Sequence, residues 1–303
     1  MPREISNPDP RESNEREFRI TQPFFSAEPQ PEDGPRNLES AAGAERLPLP
    51  RHRPKALDPS RPYSCANRVY LLRESEVRTL TEIGTFRAVA AADLGRLAYG
   101  GDSKRMERDV RHLRDDGLVS EKVVRADRKS ILRLLALTRE GAHLVKQSAV
   151  VSEDQTLYHG FVKLHEARHD ASLYRLYHAQ AQRIESSGGR ITRVVLDYEL
   201  QRNLNRELAG LASWPEERER IALRHGLAVV DEKIPVPDMR IEYDTAEMER
   251  GHLNVELATR NYRPRALSAK ARAGFSLYAL PEDAPRLRRV LDQRSITAPI
   301  VSL

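Results

Sequence analysis

From residue 71 to residue 147 apolar side chains return at threes and fours, then alternate, then return at threes and fours again. Val77, Leu80, Ile83 and Phe86 repeat at threes and predict a helix from Leu71 to Ala88, with Gly84 a weak point inside it. Residues 90–97 predict a short second helix, and Tyr99-Gly100-Gly101 a turn. Met106, Val110 and Leu113 then share one helical face. At 100° per residue Lys104, Arg108 and Arg111 point the opposite way, with Arg105 and His112 flanking them. Gly117 is placed to stop this helix in the left-handed conformation. Val119 to Val124 and Ile131 to Leu137 predict two strands, and the turn between them carries Arg125, Arg128 and Lys129. Thr138 is the N-cap of a closing helix.

The pattern after residue 150 is different. Leu173, Leu176, Tyr177, Ala181 and Ile184 predict a helix that Ser186-Ser187-Gly188-Gly189 ends. Ile191–Leu196 predicts a strand, and helices are predicted over Glu199–Trp214 and Pro215–Arg224. Leu227–Ile234, Asp238–Tyr243 and Leu253–Ala258 are short apolar runs and predict strands. A helix over Ala266–Ala273, a strand over Phe275–Leu280 and a helix over Pro281–Gln293 complete the series. The expected class is α+β. An N-terminal winged helix-turn-helix is followed by an α/β domain with a mixed sheet. The expected divisions are a winged-helix domain at 63–150, a helical connector at 151–190 and the α/β domain at 191–303.

Residues 1–62 hold twelve of the 19 prolines, mix both charge signs and show no apolar period, so a disordered tail is expected there. Within it FRITQPFF, residues 18–25, supplies Phe18, Phe24 and Phe25 as a docking motif for a protein partner, or as an arm lying on the fold. RHRPK, residues 51–55, adds phosphate contacts or serves as linker.

Charge sharpens the picture. The net charge is +5 over 303 residues, and residues 63–150 carry 17 basic against 12 acidic side chains, which accounts for the whole excess. A cationic helix beside a cationic β-ribbon suits a groove and its phosphates. The competing reading is a winged helix that contacts only protein. The single cysteine, Cys65, excludes an intrachain disulfide framework and a cysteine zinc cluster. No basic-then-apolar leader and no spanning apolar run is present, so no membrane association is expected and a cytoplasmic, nucleoid-associated location is. The expected partner is double-stranded DNA, bound through Lys104, Arg105, Arg108, Arg111, His112, Arg125, Arg128 and Lys129, with a homodimer reading two half-sites.

Two further patterns bear on chemistry. His165-Glu166-Ala167-Arg168-His169 is a literal HExxH, which on a helix presents two zinc ligands and a general base. Charged neighbours crowd it and no third ligand is marked, so a chance match is the preferred reading. Pro237-Asp238, followed after a loop by Val255-Glu256-Leu257-Ala258, resembles the PD-(D/E)XK nuclease superfamily, which implies a restriction-endonuclease-like fold for the α/β mixed-sheet domain. That resemblance implies Mg²⁺ held by Asp238 and Glu256, and a lysine two residues beyond the glutamate, where this chain has Ala258. Lys233, Arg260 and Lys270 are the cations that could substitute, and Glu199 or Glu207 could add a carboxylate. The expected outcome is a nuclease-like domain without cleavage and without a cofactor. The alternative is a Mg²⁺-dependent endonuclease using Asp238, Glu256 and Lys270. The order of SKRMERDVRHLRDDGLV, LTREGAHL, HDASLYRLYHAQAQRIESSGGRITRVVLDYEL and VPDMRIEYD, then LNVELATRNY and AKARAGFSLYAL, resembles the replication-relaxation family of bacterial plasmids and mobile elements. That resemblance spans about residues 65–285 and implies DNA binding in replication, transfer or transcription control of a mobile element.

Overall fold

Two short strands come first among the described residues. β1 (Arg61–Cys65) and β2 (Arg68–Leu72) pair antiparallel around Ala66-Asn67, both at positive φ as a two-residue hairpin turn demands. The computed structural model describes residues 58–125, 131–161, 166–209, 215–259, 262–296 and 298–302, and the elements named below belong to one unit, residues 54–303. The N-terminal tail with Phe18, Phe24 and Phe25, and also Arg128, Lys129, His165 and Arg260, lie outside the described residues.

The hairpin corrects the expected helix start. Tyr70 and Leu72 are buried while Val69 and Leu71 are exposed, a period of two that a short window merges with the helix beyond it. Helix α1 is Glu74–Thr85, and the Glu76 carboxylate accepts from the Arg73 backbone N–H at 2.7 Å, closing its first turn. Gly84 is a packing requirement rather than a weak point. A Cβ there would sit 2.6 Å from Leu137 Cδ1, and Leu137 is fully buried.

β3 (Val89–Ala90) and α2 (Ala91–Leu97) follow, then α3 (Ser103–Asp115), β4 (Val119–Arg125), β5 (Ile131–Leu137) and α4 (Arg139–Gln147). The sheet order is β3-β5-β4, with β4 and β5 in register from Val119↔Leu137 to Arg125↔Ile131. Thr138 caps α4, its hydroxyl accepting from Gly141 N at 3.0 Å. Gly141 lets α4 lie on the chain before β4, because a Cβ would fall 2.2 Å from the Leu118 carbonyl oxygen.

The remaining elements are α5 (Ala167–Ser186), β6 (Arg190–Leu196), α6 (Asp197–Leu208), α7 (Pro215–Arg224), β7 (Met239–Asp244), β8 (Arg250–Ala258), α8 (Pro264–Arg272), β9 (Ser276–Ala279), α9 (Ala284–Asp292) and β10 (Ile300–Ser302). They build a five-stranded sheet in the order β10-β9-β8-β7-β6. β6, β7 and β8 are antiparallel, while β8, β9 and β10 are parallel, so α8 is the crossover between β8 and β9. The strand expected over Leu227–Ile234 is absent. Asp231 and Glu232 take positive φ and fold Val230 back onto Lys233 in a tight turn, leaving too short a run to pair.

The sheet edge at β6 is covered by a side chain. The Gln155 amide donates to Val194 O at 2.9 Å and accepts from Val194 N at 3.0 Å, as a neighbouring strand would. One apolar cluster joins Leu113, Leu118 and Leu137 to Tyr174, Val194, Met239 and Val255, so the three-stranded and five-stranded sheets share a core through α5. A second cluster, with Ala258, Leu267, Leu277, Leu287 and Ile300, lies under α8 and α9. No described helix is long and apolar enough to cross a membrane.

Candidate nucleic-acid interface and an internal carboxylate cluster

Helix α3 is fixed at both ends. Asp102 accepts from Arg105 N at 3.0 Å, and beyond Asp116 the left-handed Gly117 lets Leu118 N reach Leu113 O at 2.9 Å and its own N–H reach Arg114 O at 2.9 Å. Met106, Val110 and Leu113 face the core, as the spacing predicts. Lys104, Arg108 and Arg111 are exposed, and with Ser103 and Glu107 they line an open hollow along the helix. Lys104 and Arg111 make no ion pair among the described residues. Arg108 lies over its neighbour, donating to Asp109 Oδ1 at 3.0 and 3.1 Å, yet stays more than half exposed.

Arg105 and His112 differ from the expected arrangement. Arg105 donates to Asp58 Oδ2 at 2.5 Å, and His112 Nδ1 lies 2.8 Å from Glu76 Oε1. Both flank positions meet the segments packed beside α3, so their side chains are spent on holding the helix. Beneath them is a network the apolar period does not reveal. The fully buried Asp109 accepts from Arg73, Ser75, Tyr99 and Arg108, and the fully buried Glu76 accepts from Arg73 and meets His112. A buried carboxylate requires such partners, and this set fixes α3 against α1.

The hairpin stands beside this face. Arg125 is exposed at the end of β4. Arg133 on β5 reaches back to α3, donating through both terminal nitrogens to the Glu107 oxygens at 2.6 and 2.8 Å. Its Nε lies 3.4 Å from Glu121, which Arg114 also approaches at 3.5 Å. The Arg133 hydrogen bonds hold the Glu107 carboxyl below its ordinary range despite some burial. The signal for this pair was available as the one charged residue inside ILRLLAL.

The second constellation sits where β7 and β8 meet α5 and α8. Asp238 immediately precedes β7, accepts from Leu257 N at 2.8 Å and donates its own N–H to Glu256 Oε2 at 3.1 Å. Glu256 is fully buried. Lys270, from α8, donates to Glu256 Oε2 at 2.9 Å and also to the Val236 carbonyl, and Tyr262 donates its hydroxyl to the other Glu256 oxygen. Ala258 shares the face of Glu256 but is buried in the apolar cluster with Leu267 of α8, so a lysine there would be enclosed in hydrocarbon. The cation beside Glu256 therefore arrives from the next helix.

His169 Nε2 lies 3.2 Å from Asp238 Oδ2, and the neighbouring Asp170 meets Arg87 at 3.2 Å, which also meets Asp197 at 2.9 Å. Arg87, just beyond α1, thus ties α6 to α5, and His169 ties α5 to Asp238, whose like-charged neighbour Glu256 is met by Lys270 of α8. Burial, and next the charge of Asp238, push the Glu256 carboxyl up to about 7 against the pull of Lys270 and Tyr262. Burial disfavours a charged His169, but the carboxylates of Asp170 and Asp238 beside it prevail and raise it to about 10.

Mg²⁺ is held through ionised carboxylate oxygens. Both Glu256 oxygens are engaged by neighbouring donors, and Asp238 Oδ2 is engaged by Leu257 N and His169. Among the described residues no group of three or more His, Cys, Asp and Glu side chains could hold a metal ion. This arrangement does not fit the implied metal. Lys233 is exposed on its own turn, Glu199 pairs with Arg193, and Glu207 pairs with Arg224 and His225, so none of the three joins the cluster. Of the HExxH run, His169 is committed to Asp238 and Glu166 stands at the N-cap of α5. No protein-family model, curated protein or solved structure matches the chain.

Proposed function

We propose that the protein binds double-stranded DNA through a winged helix made of α1–α4 and the β4–β5 hairpin, with α3 entering the major groove. The observation that carries this reading is the joint exposure of Lys104, Arg108 and Arg111 on one face of α3, beside a hairpin ending in Arg125. Cations along a helix supply the phosphate grip, and the helix itself fits the width of the major groove. The buried Glu76–Asp109 network holds that helix in place before DNA arrives, so little ordering remains to be done on binding.

The helix-strand-strand-strand-helix-strand order of α5, β6, β7, β8, α8 and β9, with α6 and α7 inserted between β6 and β7, supports a restriction-endonuclease-like core behind this module. Its carboxylates are balanced by Lys270 and His169, and the reading that follows is a domain that supports DNA binding without cutting. With the resemblance to the replication-relaxation family, the role proposed is the maintenance or transfer of a mobile element.

Fluorescence anisotropy of a labelled mixed-sequence duplex, titrated with the full chain at several salt concentrations, tests the binding. Saturable binding that weakens with salt is expected, and a flat titration at 50 mM salt refutes it. Supercoiled plasmid incubated with Mg²⁺ or Mn²⁺ is expected to stay intact. Nicking that disappears in Asp238→Ala would replace the non-cleaving reading with an endonuclease.

A further inference from the structure

Glu107 is out of place on a surface that only grips phosphate. It lies between Lys104, Arg108 and Arg111 along the exposed hollow of α3, and its side chain is 42% exposed. A carboxylate in that position repels the DNA backbone and weakens every cation around it. Its rotamer is nevertheless fixed, because Arg133 grips both oxygens, at 2.6 and 2.8 Å, from the adjacent strand. A carboxylate has about four lone-pair sites, and a bidentate arginine uses two of them. The outward-facing acceptors remain available at the centre of the contact face.

We propose that Glu107 is a specificity-determining residue that reads an exocyclic amino group in the major groove. The inference rests on the DNA-binding reading of α3 given above. An ionised carboxylate only accepts hydrogen bonds, and the major-groove donors are the N4 amino group of cytosine and the N6 amino group of adenine. The facing edges of guanine and thymine present O6 and O4, both acceptors, and are repelled. Glu107 therefore selects an amino-bearing base at one position of the site, and Arg133 keeps it aimed there. The negative charge also lowers affinity for DNA of the wrong sequence, so selection and rejection come from the same group.

The test is a selection from a 20-base-pair duplex library randomised at every position, run in parallel on the wild-type chain, Glu107→Gln and a charge-matched control. The control is Glu219→Gln on the exposed side of α7. Glutamine keeps the shape and an oxygen for Arg133 but presents a donor as well as an acceptor. The wild type is expected to enrich cytosine or adenine at one position over guanine and thymine, on the order of tenfold. In Glu107→Gln that position loses its preference or narrows to adenine, whose N6 and N7 suit an amide. The other selected positions persist and affinity for unselected duplex rises, while Glu219→Gln retains the wild-type profile. Identical base preferences in wild type and Glu107→Gln overturn the proposal and leave Glu107–Arg133 as a clamp between helix and hairpin. A wild-type chain that retains no duplex at all overturns the DNA-binding reading, and this proposal with it.

Discussion

Replacing Lys104 and Arg111 together by alanine removes two cations that are exposed on α3 and make no ion pair among the described residues. Each cation that neutralises a duplex phosphate contributes about −0.9 to the slope of log affinity against log salt. With Lys104, Arg108, Arg111 and Arg125 engaged, the slope is at least about −3.6, and the double replacement makes it shallower by about 1.8. Between 50 and 200 mM salt that difference amounts to about a 12-fold change in the ratio of wild-type to variant affinity. The prediction thus concerns how the gap closes with salt, and it does not depend on the absolute affinity. Anisotropy titrations of one labelled duplex at four salt concentrations measure it. Both side chains lie outside the core, so thermal melts of the two proteins are expected to overlap, with stabilities within about 0.5 kcal/mol. Parallel lines for wild type and variant would refute the assignment of α3 as the contact face. Arg108→Ala alone should change the slope less, since its guanidinium already rests on Asp109 at 3.0 Å.

Three further outcomes follow from packing and charge. Gly141→Ala puts a Cβ 2.2 Å from a backbone oxygen, which cannot rotate away, and a loss of at least about 1–3 kcal/mol is expected in urea unfolding. Arg240→Met strands the His225 carbonyl and the Asn254 amide oxygen, bound at 2.7 and 2.8 Å, leaves the Gly226 carbonyl with only the longer bond from Asn254, and should cost about 3 kcal/mol with the urea m-value unchanged. His169 is raised from 6.5 to about 10, so the stability it contributes is complete below pH 6.5 and is lost as pH rises through about 10. Melting temperatures of wild type and His169→Gln are therefore expected to converge between pH 7 and pH 10, and a constant gap over that window would exclude the His169–Asp238 pair as its source.

Helices with regular stripes such as α3 and α5 were legible from spacing, and the short run Pro215–Arg224 was read with the ends that α7 has. The chain stop at Gly117 and the cap at Thr138 were legible too, since each depends on one residue's own conformational or hydrogen-bonding character. The β1–β2 hairpin was hidden because Leu71 and Leu72 also fit the start of α1, and only pairing with β1 separates the two. β3 is two residues long and exists through its bonds to Leu134 and Leu135, which leave no local trace. For the candidate site, spacing placed Lys104, Arg108 and Arg111 on the exposed side but could not show that Arg105 and His112 turn to Asp58 and Glu76.

What the amino-acid order determined by itself was periodicity, capping and the distribution of charge, all properties of residues near one another in the chain. The tertiary structure decided which charges are free and which are consumed. Lys270 meets Glu256 across 14 residues, Arg133 meets Glu107 across 26, and His169 meets Asp238 across 69. Such pairs form because buried or crowded charge must find an opposite charge wherever packing brings one, and packing is set by the whole core. For the same reason Ala258 reads differently in the two views. Along the chain it is a missing lysine, and in the fold it is a close-packed position under α8, the helix from which Lys270 reaches Glu256.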